Sequence, residues 1–218
     1  MFIQDHMTSP PITVTPDQTV AEAVDLLQQY NFRHLPVVDE GGMLLGILSD
    51  RDLRSARPSS VARSKERHNV EERVKNTPIA LLMTRDCLHL SPFSTLDDAL
   101  LIFQSRKIGA MPVVDDEERV IGIFSMGDLM KAYRCLFGLG EKGSVLISIE
   151  DNNDPQALSK LVKLLEEKQV QFTRLVRSDG SCQTRAMIYL RIRTYNVRAV
   201  YKMLEAAGFT IHVPETTV

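Results

Sequence analysis

The 218-residue sequence has no tryptophan, only three cysteines and a formal net charge of −2. Cys87, Cys135 and Cys182 are odd in number and far apart, with no CxxC pair. Neither a disulfide framework nor a zinc site is expected; the thiols read as apolar packing, and a reducing cytoplasm fits. So balanced a charge gives no reason to expect nucleic acid or a membrane surface as partner. No apolar run approaches the roughly 18 to 20 residues that span a bilayer. The first ten residues, MFIQDHMTSP, lack a basic start and an apolar core, so no secretory signal is expected. Also missing are a GxSxG elbow, HExxH and a P-loop, and His6, His34, His68, His89 and His212 do not cluster with carboxylates at ligand spacing. Enzymatic and metal chemistry are therefore not expected. With 44% hydrophobic and 25% charged residues, the chain reads as an ordinary globular protein.

What the sequence does contain is a repeat. A shift of 76 positions lays Met7-Thr8 on Met83-Thr84, Thr19 on Thr95, Ala23 on Ala99 and Pro36-Val37-Val38-Asp39 on Pro112-Val113-Val114-Asp115. The same shift lays Gly46-Ile47, Ser49 and Asp52-Leu53 on Gly122-Ile123, Ser125 and Asp128-Leu129, without a gap. Two copies of about fifty residues follow, near 6–53 and 82–129.

Each copy reads as β-α-β-β-α. Ile12 to Val14 and Leu88 to Leu90 are predicted as short strands. Thr19 with Glu22, and Thr95 with Asp98, have capping-box spacing before helices with apolar residues at helical period. Leu35 to Val38 and Met111 to Val114 are β-branched strands entered through proline. Polar turns lead to second strands at Leu44 to Leu48 and Val120 to Phe124, and closing helices start near Ser49 and Ser125. A unit this small buries little core alone, so the copies are expected to pack through their sheets about a pseudo-twofold axis, with clefts at the interface.

The doubled PVVD strand followed by Gly-Ile-x-Ser-x-x-Asp resembles the cystathionine-β-synthase (CBS) domain, whose tandem pair is the Bateman module; the stretch from Arg33 to Leu53 is similar to acetoin-utilisation-type members. The resemblance implies a sensor of AMP, ADP, ATP or S-adenosylmethionine, with no required cofactor, that dimerises. Ser49 with Asp52, and Ser125 with Asp128, have two readings. One is helix capping alone. The other is a nucleotide grip, in which a helix N-terminus and a carboxylate meet phosphate and ribose. By resemblance, Asp52 and Asp128 match the ribose aspartate, and Ser49 and Ser125 its hydroxyl position. Ile12, Val14 and Pro36, then Leu88, Leu90 and Pro112, are candidates to line an adenine slot, and backbone groups near Thr13 and Thr15 to read the base edge.

The copies diverge in charge. The first holds Arg33, His34 and Arg51; the matched residues are Gly109, Ala110 and Gly127, with only Lys107 nearby. The first cleft is therefore expected to take a phosphorylated ligand and the second a neutral one or none. Between the copies, Arg54 to Lys75 holds seven basic and three acidic residues, and reads as a solvated linker or as a lid adding cations.

The expected domains are 1–57, a linker at 58–79, the second unit at 80–135, a linker at 136–143, and 144–218. The last of these reads as βαββαβ, a ferredoxin-like unit that resembles an ACT domain. There Asp154-Pro155 is followed by Gln156, where amino-acid-binding members carry glycine, so dimerisation or signal output is expected instead. The fold class is α+β throughout. The expected function is a non-catalytic regulatory protein acting on a downstream protein partner, against the alternatives of a dimerisation scaffold or an enzyme.

Overall fold

The computed structural model describes residues 1–56, 72–180 and 185–213. Most of the expected basic linker or lid, together with Ser181, Cys182 and residues 214–218, lies outside the described residues. The chain divides into two compact units, Met1–Ala132 and Tyr133–Val218.

In the first unit, both copies of the repeat build the same series. The first copy runs α1 (Val20–Tyr30), β1 (His34–Val38), β2 (Leu44–Ser49) and α2 (Asp50–Ser55). The second runs β3 (Thr84–Arg85), α3 (Leu96–Arg106), β4 (Ala110–Val114), β5 (Val120–Ser125) and α4 (Met126–Leu136). The capping boxes form as spaced: the Glu22 carboxylate accepts from the Thr19 N–H at 2.7 Å, and the Asp98 carboxylate from the Thr95 N–H at 3.0 Å. Both helices end in a left-handed residue, Asn31 at φ 53° and Lys107 at φ 54°. β1 pairs with β2 and β4 with β5, antiparallel, and each hairpin slips register at the matching place, after Val37 and after Val113.

Two expected strands are not there. Ile12 to Val14 and Leu88 to Leu90 reduce to single parallel bridges, Val14 to Val37 and Leu90 to Val113. Prolines at 10, 11, 16 and 92 flank these segments and supply no N–H, so a ladder cannot extend.

The copies are joined by exchanged edges. β3, which opens the second copy, pairs with β2 of the first, placing Thr84 opposite Ile47 and Arg85 opposite Gly46. Reciprocally, Thr8 from the start of the first copy bridges Ile123 in β5, each N–H donating to the other's carbonyl at 3.0 Å. The exchange extends into the cores. Ile79 and Met83 are buried among Val20, Leu27, Leu35 and Leu48 of the first copy. Burial of one such side chain is worth about 1.5–3 kcal/mol, so the first copy does not complete its core without residues from the start of the second. Close approach makes glycine necessary at position 46, where a Cβ would lie 2.5 Å from the Thr84 carbonyl oxygen.

The second unit orders its four antiparallel strands β7-β8-β6-β9, where β6 is Ser144–Glu150, β7 Phe172–Ser178, β8 Met187–Arg193 and β9 Ile211–His212. Helices α5 (Ala157–Glu167) and α6 (Val197–Ala206) bury Leu161, Leu165, Val200 and Leu204 against Ile147, Ile149, Ile188, Leu190 and Ile192. The stretch expected as a linker at 136–143 is held rather than free. Arg174 donates to the carbonyls of Leu136 at 2.8 Å and Cys135 at 2.9 Å, and pairs with Glu141 at 2.9 Å. Among the described residues, no helix is long and apolar enough to cross a membrane.

Candidate functional site

The strand exchange encloses a cavity of about 550 Å³ in the first unit. Its ceiling is the β2–α2 junction. Ser49 leaves β2 extended, and its Oγ accepts from the Asp52 N–H at 3.3 Å. One oxygen of Asp52, Oδ2, accepts from both the Ser49 N–H at 2.9 Å and the Ser49 hydroxyl at 2.6 Å. Its other oxygen, Oδ1, takes no hydrogen bond from the described residues, and Asp52 lines the cavity. The capping and ligand readings thus divide between two oxygens of one carboxylate.

Ser125 and Asp128 repeat the cap at 3.0, 2.6 and 3.3 Å. Here, however, Lys131 Nζ donates to Oδ1 at 3.2 Å, so both oxygens are occupied and the carboxylate is buried. The residue matched to Lys131 is Ser55, whose hydroxyl donates instead to the Arg51 carbonyl at 2.9 Å.

Of the residues expected from sequence, the cavity brings together Arg33, His34, Ser49, Arg51, Asp52, Leu88 and Lys107. Thr13, Val14, Thr15, Pro36, Leu90, Pro112, Ser125 and Asp128 do not line it. Val14, Pro36, Leu90 and Pro112 are buried in the cores. The cavity is lined in addition by Thr84 of the exchanged strand and by Asp86 and Cys87, which follow it. Sequence reasoning also missed Arg106 and Ile108, whereas Arg54 opens the basic segment read as a linker or as a lid adding cations. The basic pair ending α3 was the available signal for Arg106.

The N-terminus of α2 keeps only part of the donor set expected to meet an anion. The Asp50 N–H donates to the Arg33 carbonyl at 2.9 Å and the Asp52 N–H to Ser49, so two of the first amides of α2 are already bonded. Attraction for an anion falls to side chains. Arg54 is engaged by Asp50 at 2.8 Å, whereas Arg33, Arg51, Arg106 and Lys107 have no carboxylate within ion-pair distance among the described residues. Ile47, Leu88 and Ile108 supply apolar surface beside them. A second cavity of about 530 Å³ shares Asp86, Cys87 and Leu88 and continues to Leu44, Leu45 and Val114.

His34 faces the second copy, and a Cβ on Gly109 would lie 3.1 Å from its Cε1, so glycine there admits the imidazole. Burial pushes the His34 pKa down; Arg33 and Arg51 act in the same direction, and Asp52 and Asp50 oppose. The folded protein therefore binds this proton less readily than the unfolded chain. Its contribution to stability is present above about pH 6.5, the ordinary imidazole value, and is lost as pH falls through the lower folded value. Urea melts between pH 7.5 and 5 are expected to show His34→Gln losing less stability on acidification than the wild type; parallel pH dependences would refute this. Burial also raises the Cys87 thiol, which keeps it protonated and a poor nucleophile. Among the described residues, no group of three or more His, Cys, Asp or Glu side chains is placed to hold a metal.

A doubled unit with exchanged edge strands and a cleft between its copies defines the class. The sequence matches the CBS domain over residues 3–59 and 77–135, and the chain belongs to that family. It is 32% identical over 127 residues to the CBS domain-containing protein YhcV of Bacillus subtilis, a match covering 58% of this chain and 81% of that protein. To inosine-5'-monophosphate dehydrogenase of Aquifex aeolicus it is 36% identical over 122 residues, but this covers 56% of the chain and only 22% of the enzyme, its CBS region. Among solved structures it is similar to CBSX2 in complex with AMP, a chain known from Arabidopsis thaliana (27% identity, TM-score 0.53, 62% of this chain and 98% of that one). Equally similar is the CBS pair of MJ0100 in complex with 5'-methylthioadenosine and S-adenosyl-L-methionine (27%, TM-score 0.52, 62% and 98%). A Vibrio cholerae protein assigned to acetoin utilization (AcuB) matches at 30%, TM-score 0.54, over 65% and 96%.

Proposed function

We propose that this chain is a non-catalytic regulatory protein that binds an adenosyl ligand in the Asp52 cleft. The observation that carries this reading is Asp52 Oδ1. A carboxylate oxygen left open by its own cap, facing a cavity with apolar and cationic walls, suits the vicinal hydroxyls of a ribose. The base then lies against Ile47, Leu88 and Ile108, and the charged end of the ligand against the arginines. That CBS pairs of similar structure were solved with AMP, and with S-adenosylmethionine and methylthioadenosine, supports the class of ligand.

Because the cavity is walled by both copies, a ligand that holds them in one arrangement shifts their equilibrium in proportion to its differential affinity. The C-terminal unit, with its β7-β8-β6-β9 order and two helices, is read as an ACT-like, ferredoxin-like domain serving homodimerisation or output to a downstream protein. The test is thermal unfolding with AMP, ADP, ATP and S-adenosylmethionine, together with mass spectrometry of ligand released on denaturation. At a concentration 100 times Kd, a bound ligand adds about 2.7 kcal/mol and raises Tm by several degrees. No shift with any of the four would refute the reading.

A further inference from the structure

The cavity's charge carries the ligand assignment further, resting on the adenosyl reading above. Four cations line it without an acidic partner among the described residues: Arg33 and Arg51 from the first copy, Arg106 and Lys107 from the second. The acids on its wall are Asp50, already paired with Arg54, Asp52, tied through one oxygen to Ser49, and Asp86. The repeat supplies an internal control for whether this charge belongs to the fold. At the positions matched to Arg51, Arg54, Arg106 and Lys107 the other copy carries Gly127, Met130, Tyr30 and Asn31. Asn31 and Lys107 hold the same left-handed conformation and close matching helices. The backbone therefore forms without any of these cations. Arg106 and Lys107 also stand at the C-terminal end of α3, where exposed carbonyls disfavour an anion. Two cations there reverse the local field of the helix end.

We propose that the ligand of this cleft is a nucleoside di- or triphosphate, whose ribose meets Asp52 on the first copy and whose outer phosphates reach Arg106 and Lys107 on the second. A monophosphate offers a single charged group to four cations. The sulfonium and ammonium of S-adenosylmethionine add positive charge to a cleft that already has an excess. Successive phosphates instead add charge-assisted bonds to guanidinium and ammonium groups. The phosphate chain thus becomes the element that spans the two copies, and its length becomes the quantity sensed.

Titration calorimetry of the full chain with AMP, ADP, ATP and S-adenosylmethionine tests this, using inorganic tripolyphosphate to separate phosphate from nucleoside recognition. Affinity is expected to rise from AMP to ATP by about 10-fold or more, with S-adenosylmethionine weakest and tripolyphosphate weaker than ATP. In the double variant Arg106→Gln/Lys107→Asn, ATP affinity falls by about 10-fold toward that of AMP while AMP changes by less than about 3-fold. Asparagine at 107 keeps the helix cap, as Asn31 does in the other copy, and an unchanged Tm verifies the fold. AMP or S-adenosylmethionine binding as tightly as ATP, tripolyphosphate matching ATP, or the double variant weakening AMP and ATP equally would overturn the proposal while leaving the adenosyl reading standing. Failure of all four adenosyl compounds to bind would remove both.

Discussion

Asp52→Ala is expected to weaken adenosyl-ligand binding by roughly 100-fold, whereas Asp128→Ala leaves the affinity of the Asp52 cleft nearly unchanged. The asymmetry follows from Oδ1. In Asp52 this oxygen takes no hydrogen bond from the described residues, and in Asp128 it already accepts from Lys131 at 3.2 Å. Stability should move differently from binding. Each variant loses a capping box whose three bonds are nearly the same length in both copies, so each costs about 1 kcal/mol. Thermal melts without ligand should therefore show comparable drops, and melts with ligand should lose their upward shift in Asp52→Ala alone. Equal loss of the ligand-induced shift in both variants would show that the two carboxylates do the same work, contrary to their contacts.

Gly46→Val is expected to destabilise the first unit by about 3 kcal/mol, and Gly127→Ala to stabilise it by about 0.5–1 kcal/mol. A Cβ at Gly46 would fall 2.5 Å from the Thr84 carbonyl oxygen, a backbone atom that cannot swing aside. Relief requires β3 to move away from β2, which opens the exchanged edge and displaces Thr84 from the cavity wall. At Gly127, within α4, the added Cβ meets only Ser125 Oγ at 3.5 Å, ordinary contact, and a helical position gains by losing glycine's freedom. Urea denaturation of the two variants reads both signs. A Gly46→Val protein as stable as the wild type would mean that the exchanged strand is not held where the structure places it.

Much of the local structure is readable in the chain because its causes are local. Thr19 and Glu22, or Ser49 and Asp52, are three residues apart, and the bonds that cap their helices need nothing from elsewhere. The PVV strands and their hairpins are likewise set by β-branched residues flanking polar turns, down to the same register slip after Val37 and Val113. The misplaced features depend on distant partners. Thr13, Val14 and Thr15 precede the first helix as Cys87 and Leu88 approach the second, and proximity in sequence assigned them to the first cleft. The edge of β2 is bonded instead by Thr84 and Arg85, nearly forty residues later in the chain. An edge strand offers bare N–H and C=O groups to any extended segment, so side-chain pattern alone does not name its partner.

By itself the sequence determined that there are two copies, which side chains cap their helices, and that positive charge is concentrated around one motif rather than both. Those properties are written in residue identity and short spacing. Only the tertiary structure decided which copy's strand walls which cleft, that among the described residues Asp52 keeps an oxygen free while Asp128 does not, and that Arg106 and Lys107 join Arg51 around one cavity. Each of these turns on contacts between residues far apart in the chain, and such contacts exist only once the exchanged edges have closed.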